Sequence, residues 1–303
     1  MGAQLRAVRR RISSVKSIAK ITRAQELIAS SRIIKAQQRM RSAEPYSREL
    51  TRAVEAVISR STAVNHPFTT ERPHPRRAAV LMLTSDSGFC GAYNANVLRD
   101  AARLRQTLKE RAIEPRLYVA GRKGIAWHRF RDLELAGEWS GFSATPRYRD
   151  AQAVAEPLLA AFESDSDEDR IDELHLVCSE FVSMLTQRPS VRRLLPLEIE
   201  DTTEESPQGP LPQYEFEPSP DKVLDALLPQ YVTSRIYFAM LEAAASELAS
   251  RRRAMKAATD NANDLLENLT REANNARQAE ITQEISEIVG GANALAGASA
   301  GSE

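Results

Sequence analysis

The chain has 303 residues with 41 Lys+Arg and 41 Asp+Glu, a formal net charge of zero. That excludes a uniformly basic nucleic-acid binder and a uniformly acidic tail protein. Apolar residues reach only 42% and aromatics 6%, while charged residues reach 27%, a balance that favours long helices over one large packed core.

The first sixty residues hold fourteen basic and four acidic side chains, net +10, so the remainder, with 27 basic and 37 acidic, is net −10. A basic arm of this kind suits nucleic acid, anionic lipid or an acidic protein partner. Residues 3–58 contain no glycine and one proline, Pro45. Leu5, Val8, Ile12 and Val15 follow a 3-4-3 rhythm, and Ala43, Tyr46, Leu50, Ala53 and Val57 continue it, which predicts a one-sided helix over 1–60. Pro45 is expected to kink or locally unpair it, having no N–H.

Residues 75–200 read as α/β. Ala78–Thr84 is a buried strand, and the loop SDSGFCGAYN leads into a helix from Ala95 to about Ile113. Arg116–Ala120 is a second strand, followed by GRKG and a further helical stretch. Residues 147–162 are helical, Glu173–Ser183 is a third strand and Val191–Ile199 a fourth. Alternating strands and helices imply a mostly parallel sheet. A short turn containing Pro189 makes the last strand antiparallel. Residues 201–220, rich in acids and prolines, form a linker.

The C-terminal element is the clearest. Phe238, Leu241, Ala245, Leu248, Arg252, Met255, Thr259, Ala262, Leu266, Leu269, Ala273 and Ala276 keep one unbroken 3-4 rhythm, which predicts a coiled-coil helix over 221–290. Gly290-Gly291 is expected to end it, leaving a flexible tail at 291–303. The fold class is therefore α/β with a long coiled coil. The N- and C-terminal helices pair antiparallel, around a central Rossmann-like α/β domain, and the longer C-terminal helix projects beyond its partner.

Chemical motifs are weak in the middle of the chain. Gly88 and Gly91, or Gly121-Arg122-Lys123-Gly124, offer backbone N–H groups after strands, but neither matches a phosphate-loop fingerprint; tight strand-to-helix turns explain them. Cys90 has no neighbouring histidine in sequence, and Cys178 is the only other cysteine, so a disulfide framework is excluded. His66, His74, His128 and His175 lack metal-ligand spacing. No run is apolar enough for a membrane span, and the first twenty-five residues show no cleavable signal pattern.

The last helical segment is sharper. Glu280, Glu284 and Glu287 fall on one face, Ile281, Ile285 and Ile288 on the next, with Thr282 and Gln283 between them. Ile281, Thr282, Glu284, Glu287, Gly291, Ala292 and Ala294 also fill the signature [IV]-T-x-E-x-x-[DE]-x-x-x-G-A-x-[SAKR]. In this the chain resembles the gamma subunits of F-type ATP synthases. The opening RISSVK and KITRAQELIA are similar to the same family, as are TSDSGFCGAYNANV, GRKG and RRRAMKAATDNANDL, the last in a form typical of actinobacteria. Two departures are Gln25, where many relatives carry Met, and Glu280, where a small residue is usual.

The resemblance implies a non-catalytic rotor stalk, with no cofactor, no metal and no nucleic acid. Its coiled coil enters a hexamer of alternating alpha and beta subunits, its α/β domain sits on the c-ring beside epsilon, and proton flow drives ATP synthesis through its rotation. The implied place is the cytoplasmic side of a bacterial membrane, as a peripheral subunit. Residues carried over as coupling or interaction sites are Lys20, Thr22, Gln25, Arg277, Gln278, Ile281, Thr282, Gln283, Glu284, Glu287, Gly291 and Ala292. For Arg9, Arg10, Arg11, Arg251, Arg252 and Arg253 two readings stay open, a contact with acidic rims of the beta subunits and a solvated surface.

Overall fold

The computed structural model describes residues 2–60, 66–197, 217 and 220–300. In chain order the elements are α1 (Gly2–Arg60), β1 (Arg77–Leu83), α2 (Tyr93–Glu110), β2 (Glu114–Ala120), α3 (Arg122–Arg129), β3 (Gly137–Trp139), α4 (Tyr148–Glu163), β4 (Glu173–Phe181), β5 (Gln187–Leu195) and α5 (Pro220–Ala300). They divide into two compact units, one of residues 29–252 and one joining residues 1–28 to 253–303.

The larger unit is built on a five-stranded sheet ordered β3-β2-β1-β4-β5. β1 runs parallel to both β2 and β4, β3 is parallel to β2, and β5 closes the far edge antiparallel. β1 is a continuous apolar run because both its faces are covered. Ala78, Val80 and Met82 pack under α2 with Val97, Ala101 and Leu108. Ala79, Leu81 and Leu83 pack on the opposite face, against Val154, Leu158 and Phe162 of α4 and Leu228, Val232 and Ile236 of α5. Each fully buried Leu, Ile or Phe contributes about 1.5–3 kcal/mol of burial. The first stretch of α5 is therefore a core helix of this unit. Ile33 and Ala36 of α1 meet Ala245, Leu248 and Ala249 of α5, capped by Phe181 and Met184.

Two aspartates, one buried and one half-buried, tie the sheet and its loops together. Asp172, at the start of β4, accepts the backbone N–H groups of Arg76 and Arg77 at 2.7 and 3.1 Å and the Arg72 guanidinium at 2.7 Å. Burial opposes its ionisation, but these donors outweigh burial and hold the carboxyl below the usual range. Asp86, after β1, accepts the N–H groups of Gly141 and Ser143, both at 2.9 Å, and of Arg122 at 3.1 Å. Its pKa is also lowered, against burial.

Several sequence expectations need correction. The turn before the last strand lies at 182–186, and Pro189 sits inside β5, opposite Ser179. β5 is an edge strand, where a missing N–H is tolerated. The three-residue β3 had no period long enough to reveal it. α1 passes through Pro45, whose ring is exposed, without a break in its helical span. Tyr46 is 53% exposed and Ser47 takes its place on the buried stripe. α5 continues through Gly290 and Gly291 to Ala300, so these residues are neither its end nor the start of a non-helical tail. Glycine keeps its N–H and costs only about 1 kcal/mol in a helix, and the alanines after it favour helix. The linker 201–220 lies outside the described residues, apart from Glu217 and the helix start at Pro220. So do the end of the expected fourth strand at Ile199 and the last three residues.

The acidic stretch Glu163–Asp169 folds back on arginines of the same unit. Asp167 pairs with Arg76 at 3.3 Å and Arg170 at 3.1 Å, and its carbonyl accepts from Arg77. The Glu168 carbonyl accepts from Arg116.

In the smaller unit, α1 and α5 pair antiparallel. The Thr259 and Thr22 hydroxyls lie 2.8 Å apart. With equal rise on both helices, that bond sets Val15 level with Leu266, Ile12 with Leu269, Val8 with Ala273 and Leu5 with Ala276. Burial follows this register: Leu5, Val8, Ala19, Thr22 and Glu26 on α1, and Met255, Thr259, Ala262 and Leu269 on α5, are all buried.

Candidate coupling surface

In this register Gly2, where α1 begins, stands level with Ala279 of α5. Residues 281–292 are exposed on every face. From Ile281 to Ala300 about 30 Å of helix runs on alone. This free end carries the motif read from sequence. Thr282 donates to the Gln278 carbonyl at 2.9 Å, leaving its oxygen lone pairs outward, and Gln283 donates to Glu287 at 2.8 Å, one turn on. Glu284 has no side-chain partner among the described residues. Ile281, Ile285 and Ile288 are 44%, 55% and 71% exposed. A row of carboxylates beside a row of isoleucines, with nothing of this unit covering either, is an unusual surface for a free-standing helix. Arg277, Gln278, Gly291 and Ala292 are exposed on the same stretch.

The N-terminal candidates divide. Lys20 and Gln25 point outward, but Thr22 faces the seam and is bound to Thr259. Thr22 is thus a residue of the helix pairing rather than of the outer surface. The structure adds a feature that the single-stripe reading of α1 missed. Ile18, Ile21 and Ile28 are 52%, 60% and 47% exposed and share a 3-4-3 line with Gln25. That second apolar stripe was visible in the sequence as isoleucines out of phase with the seam.

The basic residues also divide. Arg9, Arg10, Arg11 and Arg253 are exposed. Arg251 is turned inward, donating to the carbonyls of Ser87 and Gly88 at 3.1 and 3.3 Å and pairing with Glu247 at 2.7 Å. Arg252 lies at a seam position and is half-buried. Arg251 and Arg252 thus differ from the outward-facing arginines on both readings of the sequence. Glu247 is 1% exposed, and burial raises its pKa despite Arg251.

These contacts place α5 at the usual ligand position of a Rossmann-like sheet. In a sheet ordered 3-2-1-4, ligands bind beyond the strand ends where the order reverses, between β1 and β4. Here α5 occupies that place. Ser246 donates to the Ser179 carbonyl after β4 at 3.0 Å, and Arg251 caps the loop after β1. Cys90, in that loop, is 3% exposed and accepts from Asn94 at 3.2 Å. Cys178 is buried in β4, and burial pushes its thiol up to about 12. The glycines of GRKG serve packing. Gly121 has φ +121°, and a Cβ there would lie 2.2 Å from the Thr84 carbonyl oxygen. A Cβ on Gly124 would lie 2.7 Å from the Thr84 hydroxyl.

A helical pair with a free end, joined to an α/β body packed on the same helix, is the architecture of a stalk. The comparisons agree. The family model described as ATP synthase matches residues 4–295. The ATP synthase gamma chain of Acidothermus cellulolyticus is 60% identical over 295 residues, 97% of this chain and 98% of that one. That of Thermobifida fusca is 57% identical over the full length of both. The fold matches a chain of the Euglena gracilis mitochondrial ATP synthase, solved as an OSCP/F1/c-ring assembly, with a TM-score of 0.67 at 14% identity, over 97% of this chain and 95% of that one. A chain of the rotor of the same synthase matches with a TM-score of 0.63. This chain belongs to the ATP synthase gamma chain family.

Proposed function

We propose that this gamma chain couples rotation to catalysis through the free end of α5, turning inside a hexamer of alpha and beta subunits while its α/β unit rides on the c-ring beside epsilon. The chain is a stalk subunit and is not itself catalytic. The observation that carries the coupling reading is the exposed stretch 281–292, which presents carboxylates, isoleucines and a threonine to whatever surrounds it. A stalk does work only through contacts that differ between rotary states of its surroundings. A mixed polar and apolar edge provides such contacts without fixing one state permanently. Among the described residues no helix is long and apolar enough to cross a membrane; the place proposed for the chain is the cytoplasmic side, held to the membrane complex by other subunits.

The test is reconstitution with alpha and beta subunits of an actinobacterial relative. Rotation of a bead attached to the α/β unit, driven by ATP hydrolysis, is the expected result. Hexamers that bind the chain and hydrolyse ATP with no rotation of the bead would defeat the reading.

A further inference from the structure

The larger unit holds α5 by two rows of polar contacts that the coupling reading does not use. Glu242, Ser246 and Ser250 stand one turn apart and face the β4–β5 edge. Glu242 pairs with Arg192 at 3.3 Å, the Ser246 hydroxyl donates to the Ser179 carbonyl at 3.0 Å, and the Ser250 hydroxyl donates to the Gln187 side-chain carbonyl at 3.2 Å. Glu247 and Arg251, also one turn apart, face the loop after β1. Arg251 donates to the Ser87 carbonyl at 3.1 Å and, through both Nε and Nη2, to the Gly88 carbonyl at 3.3 Å. Glu247 is 1% exposed and pairs with that guanidinium at 2.7 Å. On helical geometry the two rows lie about 120° apart around the axis and span about 14 Å of its length. Between them runs the apolar strip of Ile236, Met240 and Ala243, packed in the core. The larger unit ends at Arg252, one residue beyond the last of these contacts.

Apolar burial holds a helix against a sheet but is non-directional. A hydrogen bond weakens steeply as its angle is lost. With directional contacts on both sides of one buried strip, a turn of α5 about its own axis in either sense strains one row or the other. Ser246 and Ser250 are 0% and 8% exposed, so their hydroxyls are spent on the sheet and not on solvent. We infer that Glu242, Ser246 and Ser250 on one side, and Arg251 on the other, fix the rotational setting of α5 in the α/β unit, so that a turn of that unit reaches the shaft helix without slip. The inference rests on the proposed rotor role. Glu247 acts through Arg251: it is a positioning residue that aims the guanidinium at the loop.

The experiment uses the complete, purified synthase with its alpha and beta subunits fixed to a surface, a non-hydrolysable ATP analogue stopping the motor, and a bead on the α/β unit. The spread of bead angles at rest is the readout. Ser246→Ala with Ser250→Ala removes two neutral hydrogen bonds and little volume, and should populate angles outside the wild-type spread about tenfold more. Adding Glu247→Gln with Arg251→Met, which removes the ion pair as a pair and leaves no buried charge alone, should widen the spread further. Lys256→Met, beyond the larger unit and exposed, should leave it unchanged. The unfolding midpoint of the α/β unit is followed on the same preparations, because a merely structural role would lower it without widening the spread. A wild-type spread in the serine variant and in the fourfold variant, or equal widening by Lys256→Met, each in complexes that rotate when ATP is supplied, would overturn the inference and leave the rotor reading standing. A wild-type chain that enters no rotating complex would remove both.

Discussion

The hydroxyls of Thr22 and Thr259 meet at 2.8 Å, although 237 positions separate them in sequence. Both residues are 9% exposed, in a seam made largely of alanine and aliphatic residues. Thr22 also reaches the Ala19 carbonyl at 3.1 Å, and Thr259 the Met255 carbonyl at 2.9 Å. Thr259 donates across the seam while Thr22 donates back to its own helix, or the roles reverse. Polar pairs at seam positions fix register, because only one alignment satisfies both groups.

This pairing gives a prediction about register. Thr22→Val leaves the Thr259 hydroxyl its own-helix acceptor, so the cost should be about 1 kcal/mol. Thr22→Val with Thr259→Val replaces both partners by apolar groups of the same shape and should recover most of that loss. Native-state hydrogen exchange of amides in 15–26 and 255–266 reads both effects. If the double variant lost as much protection as the sum of the single ones, the bond would not be the coupled pair described.

A second prediction concerns the loop before α3. Gly121 and Gly141 both have positive φ, +121° and +100°, but a Cβ meets the Thr84 carbonyl at Gly121 and open space at Gly141. Gly141→Ala should cost about 1 kcal/mol, from backbone strain alone. Gly121→Ala adds a backbone clash and should cost about 3 kcal/mol or more. Thermal unfolding followed by the near-ultraviolet signal of the α/β unit distinguishes them. Equal losses would mean that α3 shifts freely away from β1.

How much of this was legible beforehand depended on period and on chemistry. The α5 seam was readable because twelve positions repeat without a break, and every one of them is buried or half-buried. The α1 seam was read at its two ends and lost in the middle, where Ala19, Thr22, Glu26 and Ala29 carry too little hydrophobicity to mark a face. The shift from Tyr46 to Ser47 has the same cause: an aromatic residue outweighs a serine in any apolar count, yet the helix turns the serine inward. β1, β2 and β4 were legible as apolar runs, whereas β3 is too short and Pro189 argued against a strand that exists. The exposed motif at 281–292 was found through its signature. The inward turn of Arg251 could not be, because it depends on the carbonyls of Ser87 and Gly88, which sequence does not place beside α5.

A third prediction is a pH dependence in the larger unit. Glu180 is opposed by burial but held by Arg192 at 2.5 Å and Arg188 at 3.0 Å, which lowers its pKa to about 2. A carboxyl whose folded pKa lies below its unfolded value stabilises the fold fully above the unfolded pKa, near 4.3. That contribution is lost as pH falls from there towards 2. Glu180→Gln should therefore lower stability at pH 7 and flatten the decline between about pH 4.5 and 2. Glu242, on the other side of Arg192 at 3.3 Å, has its pKa raised by burial and works in the opposite sense. Denaturant midpoints measured across this range should converge for wild type and variant as the pH falls. Parallel curves would show that the ion pair adds nothing to stability.

The last prediction concerns coupling. Thr282 and Glu284 are exposed on the free end of α5, Glu284 without a side-chain partner among the described residues and Thr282 with its lone pairs outward. Removing both side chains leaves the seam untouched, because the last buried position on α5 is Leu269, and Ala273 and Ala276, level with Val8 and Leu5, are unaltered. The α/β unit contains neither residue. Assembly should therefore survive Thr282→Ala with Glu284→Ala. A hydrogen bond to a charged group contributes about 1.5–3 kcal/mol, and a loss of that size at one rotary step slows it about tenfold or more. ATP synthesis driven by a proton gradient should fall accordingly in vesicles holding normal amounts of assembled complex. Ser299→Ala, downstream of the motif, should be silent. The double variant with Lys20→Ala should fall no further if Lys20 meets a different element of the surroundings at a different angle, and much further if both contact one element. Wild-type synthesis by the double variant would remove 281–292 from the coupling path while leaving the chain a gamma subunit.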